Sequence, residues 1–92
     1  MIKSFACKDS QKIYEGRSCR RWQDIRNVIE RKLQLLDSAA TLDALRSPPG
    51  NRLEPLEGNR AGQHSIRINK QWRLCFVWSE AGVYDVEITD YH

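Results

Sequence analysis

No apolar run in this chain approaches the roughly 20 residues that a membrane-spanning helix needs, so a membrane protein is not expected. The opening Met1-Ile2-Lys3-Ser4-Phe5 lacks the apolar stretch and cleavage site of a secretory signal, which points to the cytosol. Cysteine is scarce: Cys7, Cys19 and Cys75 are odd in number and lack the close pairing of a metal knuckle or redox motif, so they read as reduced thiols. Histidine is scarcer still. His64 and His92 show no ligand-pair spacing, which argues against a zinc site. There is no glycine-rich phosphate loop, no Gly-x-Ser-x-Gly elbow and no dinucleotide fingerprint, so metal and nucleotide-cofactor enzymes are disfavoured and no cofactor is expected. No segment is of low complexity, and nothing repeats.

What is present fits one small domain spanning residues 1–92. The 40% hydrophobic content and three tryptophans support a packed globule of marginal stability, which a partner binding the folded form would stabilise. The net charge of +3 is unevenly spread: residues 1–37 hold nine Lys/Arg against five Asp/Glu, whereas residues 38–92 hold six against seven. Arg17, Arg20 and Arg21 fall within five positions before a helix, where they either grip phosphates or simply decorate a solvated helix entry.

The periodicity divides the chain in two. Residues 1–5 alternate weakly as a short strand, and Lys8 to Tyr14 reads as a short helix ending at Gly16. Trp22, Ile25, Val28, Ile29, Leu33 and Leu36 recur at helical spacing, predicting an amphipathic helix from Trp22 to about Asp37, capped near Ser18. Thr41 to Leu45 suggests one more helical turn before Ser47-Pro48-Pro49-Gly50 bends the chain. Beyond Gly50 the period is two. Ile66 and Ile68, then Trp72, Leu74, Phe76 and Trp78, then Tyr84, Val86 and Ile88 mark the apolar faces of three strands joined by short turns. The expected fold class is therefore α+β: an antiparallel meander with helices on one face, and a second, free face carrying Arg67 and Arg73.

Asp90-Tyr91-His92 places a carboxylate, a phenol and an imidazole together after the last strand. Metal-free RNA cleavage needs a base for the 2′-hydroxyl, an acid for the 5′-oxygen and cations for the phosphate. His92, beside its own α-carboxylate, suits the acid; Glu54 or Asp90 could be the base; Tyr91 could orient the phosphate. Arg73 and Arg67, with Arg60 and Lys70 in adjoining loops, could surround that phosphate. His64 reads as a surface or packing residue, and Trp72 and Trp78 as core. Residues 54–58 could equally be a plain polar turn.

The ordered block from Asn51 to Gly62, then Ser65-Ile66-Arg67-Ile68-Asn69, Gln71 to Phe76 and the terminal Asp90-Tyr91-His92, resembles the HigB family of toxins in the RelE-like superfamily. The opening residues resemble the family's start, so the likeness spans essentially the whole chain. The resemblance implies a microbial-RNase-like α+β fold and a ribosome-dependent endoribonuclease that cuts messenger RNA in the A site of the 70S ribosome. It also implies neutralisation by a HigA-like helix-turn-helix antitoxin, with operator DNA bound only through that complex. Arg73 matches the family's phosphate-binding arginine, and Asp90, Tyr91 and His92 match its C-terminal catalytic group. The chain departs from the pattern at Glu54, where some relatives carry a catalytic histidine, and at Glu57, which replaces a basic residue. A non-catalytic translation inhibitor that holds RNA or the ribosome is the alternative. A DNA-binding co-repressor is less favoured, because no recognition helix is visible.

Overall fold

Helix α1, Lys8–Tyr14, carries Asp9 in its first turn and Lys12 in its last, each complementing the helix dipole. It ends where Gly16 takes a positive φ of 75°. These bounds and residues 1–90 come from a computed structural model, which describes all but Tyr91 and His92. The chain then reverses through residues 17–22 into α2, Arg26–Ser38, whose Ile29, Leu33 and Leu36 are buried on one stripe.

The sequence placed the start of α2 at Trp22. Instead Trp22 sits in the left-handed region, with φ 61°, and a 3₁₀ turn over Gln23–Ile25 precedes the helix proper. Neither element has a side-chain cap, so Ser18 does not cap it. The expected turn after α2 appears as a 3₁₀ segment at Asp43–Arg46 that buries Leu45.

Among the described residues, four strands, one more than the three-stranded meander expected, form an antiparallel sheet in the order β1-β2-β3-β4: Glu54–Pro55, His64–Arg67, Trp72–Ser79 and Gly82–Asp90. The additional strand is β1, so residues 54–55 are an edge strand rather than a plain turn, with Glu54 opposite Ser65. The opening residues are not a full strand; Ile2 and Phe5 make isolated parallel bridges to Val83 and Val86. Gly82 permits that approach. A Cβ there would lie 2.6 Å from Lys3 Cγ and 2.9 Å from the Met1 carbonyl oxygen, on a backbone with φ 148°.

One face of the sheet packs Ile66, Leu74, Phe76, Val83, Val86 and Ile88 against Ile13, Ile29, Leu33 and Leu36 from the helices, while Trp72 and Trp78 pack at its margin. A bulge breaks the alternation in β4. Two steps along β3, from Cys75 to Val77, oppose three along β4, from Glu87 to Tyr84, and Asp85 takes a φ of 56°. Val83, not Tyr84, therefore fills the core. Ser10, fully buried, accepts a hydrogen bond from the Ile88 N–H at 3.2 Å and so ties α1 to the strand that ends at Asp90.

Candidate functional site

The segment from Ser47 to Glu54 builds one wall of the site. Asn51 is fully buried, and its Nδ2 donates to the Leu45 and Ser47 carbonyls at 3.1 and 3.2 Å while its Oδ1 accepts from Lys32 Nζ. That amide fastens the proline bend to α2. Desolvation, and then the neighbouring Arg31 charge, push the Lys32 ammonium below its ordinary value. Immediately after Asn51, Arg52 adopts a left-handed φ of 47°, and its carbonyl accepts from Arg73 Nη2 at 2.7 Å. The edge strand then delivers Glu54.

Arg73 forms the floor. The sheet face carrying it is not free, as its alternation suggested: the 51–55 segment lies across it and Arg73 is only 5% exposed. Its Nε donates to Ser65 Oγ at 2.7 Å, its Nη2 donates to the Ser65 carbonyl at 3.4 Å, and Glu54 Oε1 lies 3.5 Å from the same nitrogen. A guanidinium this buried needs such partners to offset its desolvation.

The β2–β3 turn forms the far wall. Asn69 Oδ1 accepts from the backbone N–H groups of Gln71 and Trp72, both at 2.8 Å, which tightens the turn in the manner of an Asx motif. Arg67 Nε donates to the Asn69 carbonyl at 3.1 Å, and Gln71 Nε2 donates to Asp90 Oδ2 at 3.0 Å, linking the turn to the end of β4. Arg52, Glu54, Arg67, Asn69, Lys70 and Arg73 together line a cleft of about 190 Å³. Four cations face one carboxylate there, which gives the cleft a net positive charge suited to an anion.

Of the residues singled out in the sequence, Glu54, Arg67, Lys70 and Arg73 meet in this cleft, and Asp90 stands at the adjoining strand end. Tyr91 and His92 lie outside the described residues. Arg60 does not line the cleft: its Nη1 is 2.6 Å from Glu87 Oε1 and 3.1 Å from Gln63 Oε1. The hydrogen bond to Glu87 raises its basicity, against the opposing effect of burial. Arg17 pairs with Glu15 at 3.3 Å, Arg20 is exposed, and Arg21 sits over the Trp22 ring; none of the three lines the cleft. Arg52 and Asn69 were missed as site residues. The only available signal was that Arg52 falls two positions before Glu54 and that Asn69 opens a tight turn. A larger groove between α1 and α2, lined by Ile13, Tyr14, Glu30, Arg31 and Asp37 among others, holds none of the predicted site residues.

An antiparallel sheet backed by two helices, with a cationic cleft on its other face, is a small α+β architecture. The solved structure of YafQ from E. coli strain BL21(DE3) shares the fold with a TM-score of 0.66 at 14% identity, covering 98% of this chain and 91% of that one. The family model described as the RelE-like toxin of the type II toxin-antitoxin system HigB matches residues 3–92. The chain belongs to that HigB-like toxin family. It is 33% identical over 94 residues to Endoribonuclease HigB of Proteus vulgaris, covering 100% of both chains. It is 57% identical over 54 residues to Toxin HigB-1 of Vibrio cholerae, a stretch that spans 59% of this chain and 57% of the Vibrio protein.

Proposed function

We propose that this HigB-like toxin is a metal-independent endoribonuclease that cuts messenger RNA during translation on the ribosome. The observation that carries the reading is the Glu54 carboxylate held 3.5 Å from a buried Arg73 guanidinium, with Arg67 and Lys70 beside it. A phosphodiester entering this cleft exchanges water for fixed, charge-assisted donors. The Glu54 carboxylate takes the proton of the adjacent 2′-hydroxyl, whose oxygen attacks phosphorus. As the bond to the 5′-oxygen breaks, His92 gives that oxygen a proton. The products are a 2′,3′-cyclic phosphate and a free 5′-hydroxyl. Asp90 and Tyr91 support His92; these terminal roles rest on residue chemistry and the family pattern. Arg73 balances the charge that gathers on the phosphoryl oxygens, and its hydrogen bonds to Ser65 and Arg52 fix it before substrate arrives.

Family membership supports an antitoxin as partner, and the proposed partner is of the HigA helix-turn-helix type, with the module acting in the cytoplasm. No helix among the described residues is long and apolar enough to cross a membrane. Brief induction of the wild type, Arg73→Ala, Glu54→Gln and His92→Ala, followed by mapping of RNA 5′ ends, tests the reading. A matching ribosome assay with and without chelator accompanies it. The expected result is chelator-insensitive cuts confined to translated messages. Loss of an acid or base role should lower cleavage by about 10²- to 10⁴-fold. Unchanged cuts and growth arrest in all three variants would refute the assignment, whereas wild-type arrest without new RNA ends would identify a non-catalytic block.

A further inference from the structure

The strained residue Trp22 leads to a second nucleic-acid subsite. A bulky side chain in the left-handed region is rare and has to be held there by its surroundings. Trp22 is only 7% exposed, and its Nε1 is buried with no hydrogen-bond partner among the described residues. Its ring meets Trp72 edge to face, with centroids 5.5 Å apart and an interplanar angle of 78°. Over this pair lies Arg21: its Cζ is 4.4 Å from the Trp22 ring centroid and 5.7 Å from that of Trp72. Asp9 Oδ2, 3.7 Å from Arg21 Nη1, steadies the group from α1. Even so, the Arg21 side chain remains 54% exposed. The guanidinium is thus supported by aromatic rings and still open to solvent.

Its position connects it to the cleft. Trp72 and Arg73 are consecutive in β3, so their side chains leave opposite faces of the same strand end. The backbone partner of Trp72 across the sheet is Asp90, and the turn carrying Lys70 immediately precedes it. A strand that left the cleft over that turn and crossed to the Trp72 side of the sheet would reach Arg21. We propose that Arg21, spread on Trp22 and Trp72, is a stacking shelf for one unpaired base flanking the scissile phosphate. Guanidinium planes stack on bases, and because every base offers a π-face, such a shelf tolerates any sequence while fixing strand direction. The neighbouring Arg20 adds a charge for the backbone. The inference rests on the endoribonuclease reading, since it takes RNA as the cleft's ligand.

The test separates a plane from a charge. The probe is a short unpaired RNA with every 2′-hydroxyl methylated, so that it cannot be cut, and a single abasic site is walked along it. Affinity for the wild-type protein and for Arg21→Ala, Arg21→Lys and Arg67→Ala is read by fluorescence anisotropy over a salt series. For the wild type, one abasic position should weaken binding by about 5- to 150-fold, the range for loss of one stacked base. Arg21→Ala and Arg21→Lys should both lose that position dependence, while Arg21→Lys, keeping the charge, retains the wild-type salt slope. Near-ultraviolet circular dichroism of the tryptophan pair verifies that both variants are folded. Wild-type indifference to every abasic position, or full abasic sensitivity in Arg21→Lys, overturns the shelf. If binding still depends on Arg67 under either outcome, only the shelf falls. Failure of the wild type to bind the probe at all overturns the shelf, while the RNA reading of the cleft stands or falls with the ribosome assay above.

Discussion

Ser65→Ala probes whether Arg73 is positioned by its neighbours or merely trapped. Ser65 is fully buried, and its hydroxyl takes the Arg73 Nε–H at 2.7 Å. Alanine removes that acceptor without adding bulk. A hydrogen bond to a charged group is worth about 1.5–3 kcal/mol. The Arg52 carbonyl, also at 2.7 Å, still holds Nη2, so the loss should fall in the lower part of that range. For a domain of this size each kcal/mol moves the melting temperature by about 4–8 °C, so a fall of about 6–16 °C is expected. Urea unfolding is readily followed through Trp72, the residue beside Arg73. Catalysis should suffer more than stability, because a guanidinium released at Nε swings about its contacts at Nη2, and a shift of about 1 Å at a reacting phosphate can cost about 100-fold. Ser65 touches no substrate in the proposed scheme, so a large drop in cleavage by a folded Ser65→Ala protein acts through its neighbours, Arg73 through the lost hydrogen bond first among them. An unchanged urea midpoint together with an unchanged cleavage rate would refute the reasoning and leave the other contacts of Arg73 as sufficient support.

Two further outcomes follow from the fold. Gly82→Ala forces a methyl group against the Met1 carbonyl and the Lys3 side chain, and should destabilise by about 1–3 kcal/mol; an unaltered denaturation midpoint would show that the opening segment yields without cost. Burial, then the hydrogen bond and charge of Asp37, raise the Tyr14 hydroxyl above its ordinary 10.0. The fold therefore favours the neutral phenol. The resulting stability is complete below pH 10.0 and is lost as the pH climbs through the raised value, so Tyr14→Phe should flatten the alkaline decline in chemical-denaturation curves, and equal declines in both proteins would disprove the link.

Hydrophobic period and turn chemistry made much of this fold legible. Helix α1 was bounded correctly because Gly16 punctuates it, and the meander was readable because Leu74, Phe76, Val86 and Ile88 keep period two. Where backbone conformation overrides period, the reading failed. Trp22 fits a helical stripe yet sits in the left-handed region ahead of the helix, and Asp85 moves Val83 into the place expected for Tyr84. Strand β1 is two residues long and contains Pro55, so it presents no periodicity at all. Its absence from the sequence reading explains the error at Arg73: without β1 and the chain before it, the second face looked open. Arg67 and Arg73 were recognisable by charge and strand alternation, Lys70 and Glu54 by charge alone. The pairing that draws Arg60 toward Glu87 depends on how the loop of residues 56–63 lies over β4, which no local pattern encodes.

The two margins of the sheet have a consequence for how the chain meets other chains. On one side β1 offers only two residues, one of them a proline with no N–H to give. On the other, β4 is occupied by the opening segment, with Lys3 and Ala6 donating to the Val83 and Val86 carbonyls and the N–H groups of Val83 and Val86 bonded back to Met1 and Ser4. Neither margin is a long exposed template on which another strand can grow. Among the described residues the sheet therefore offers little open edge for another strand to extend, which disfavours edge-to-edge aggregation and leaves mainly side chains for a partner to recognise.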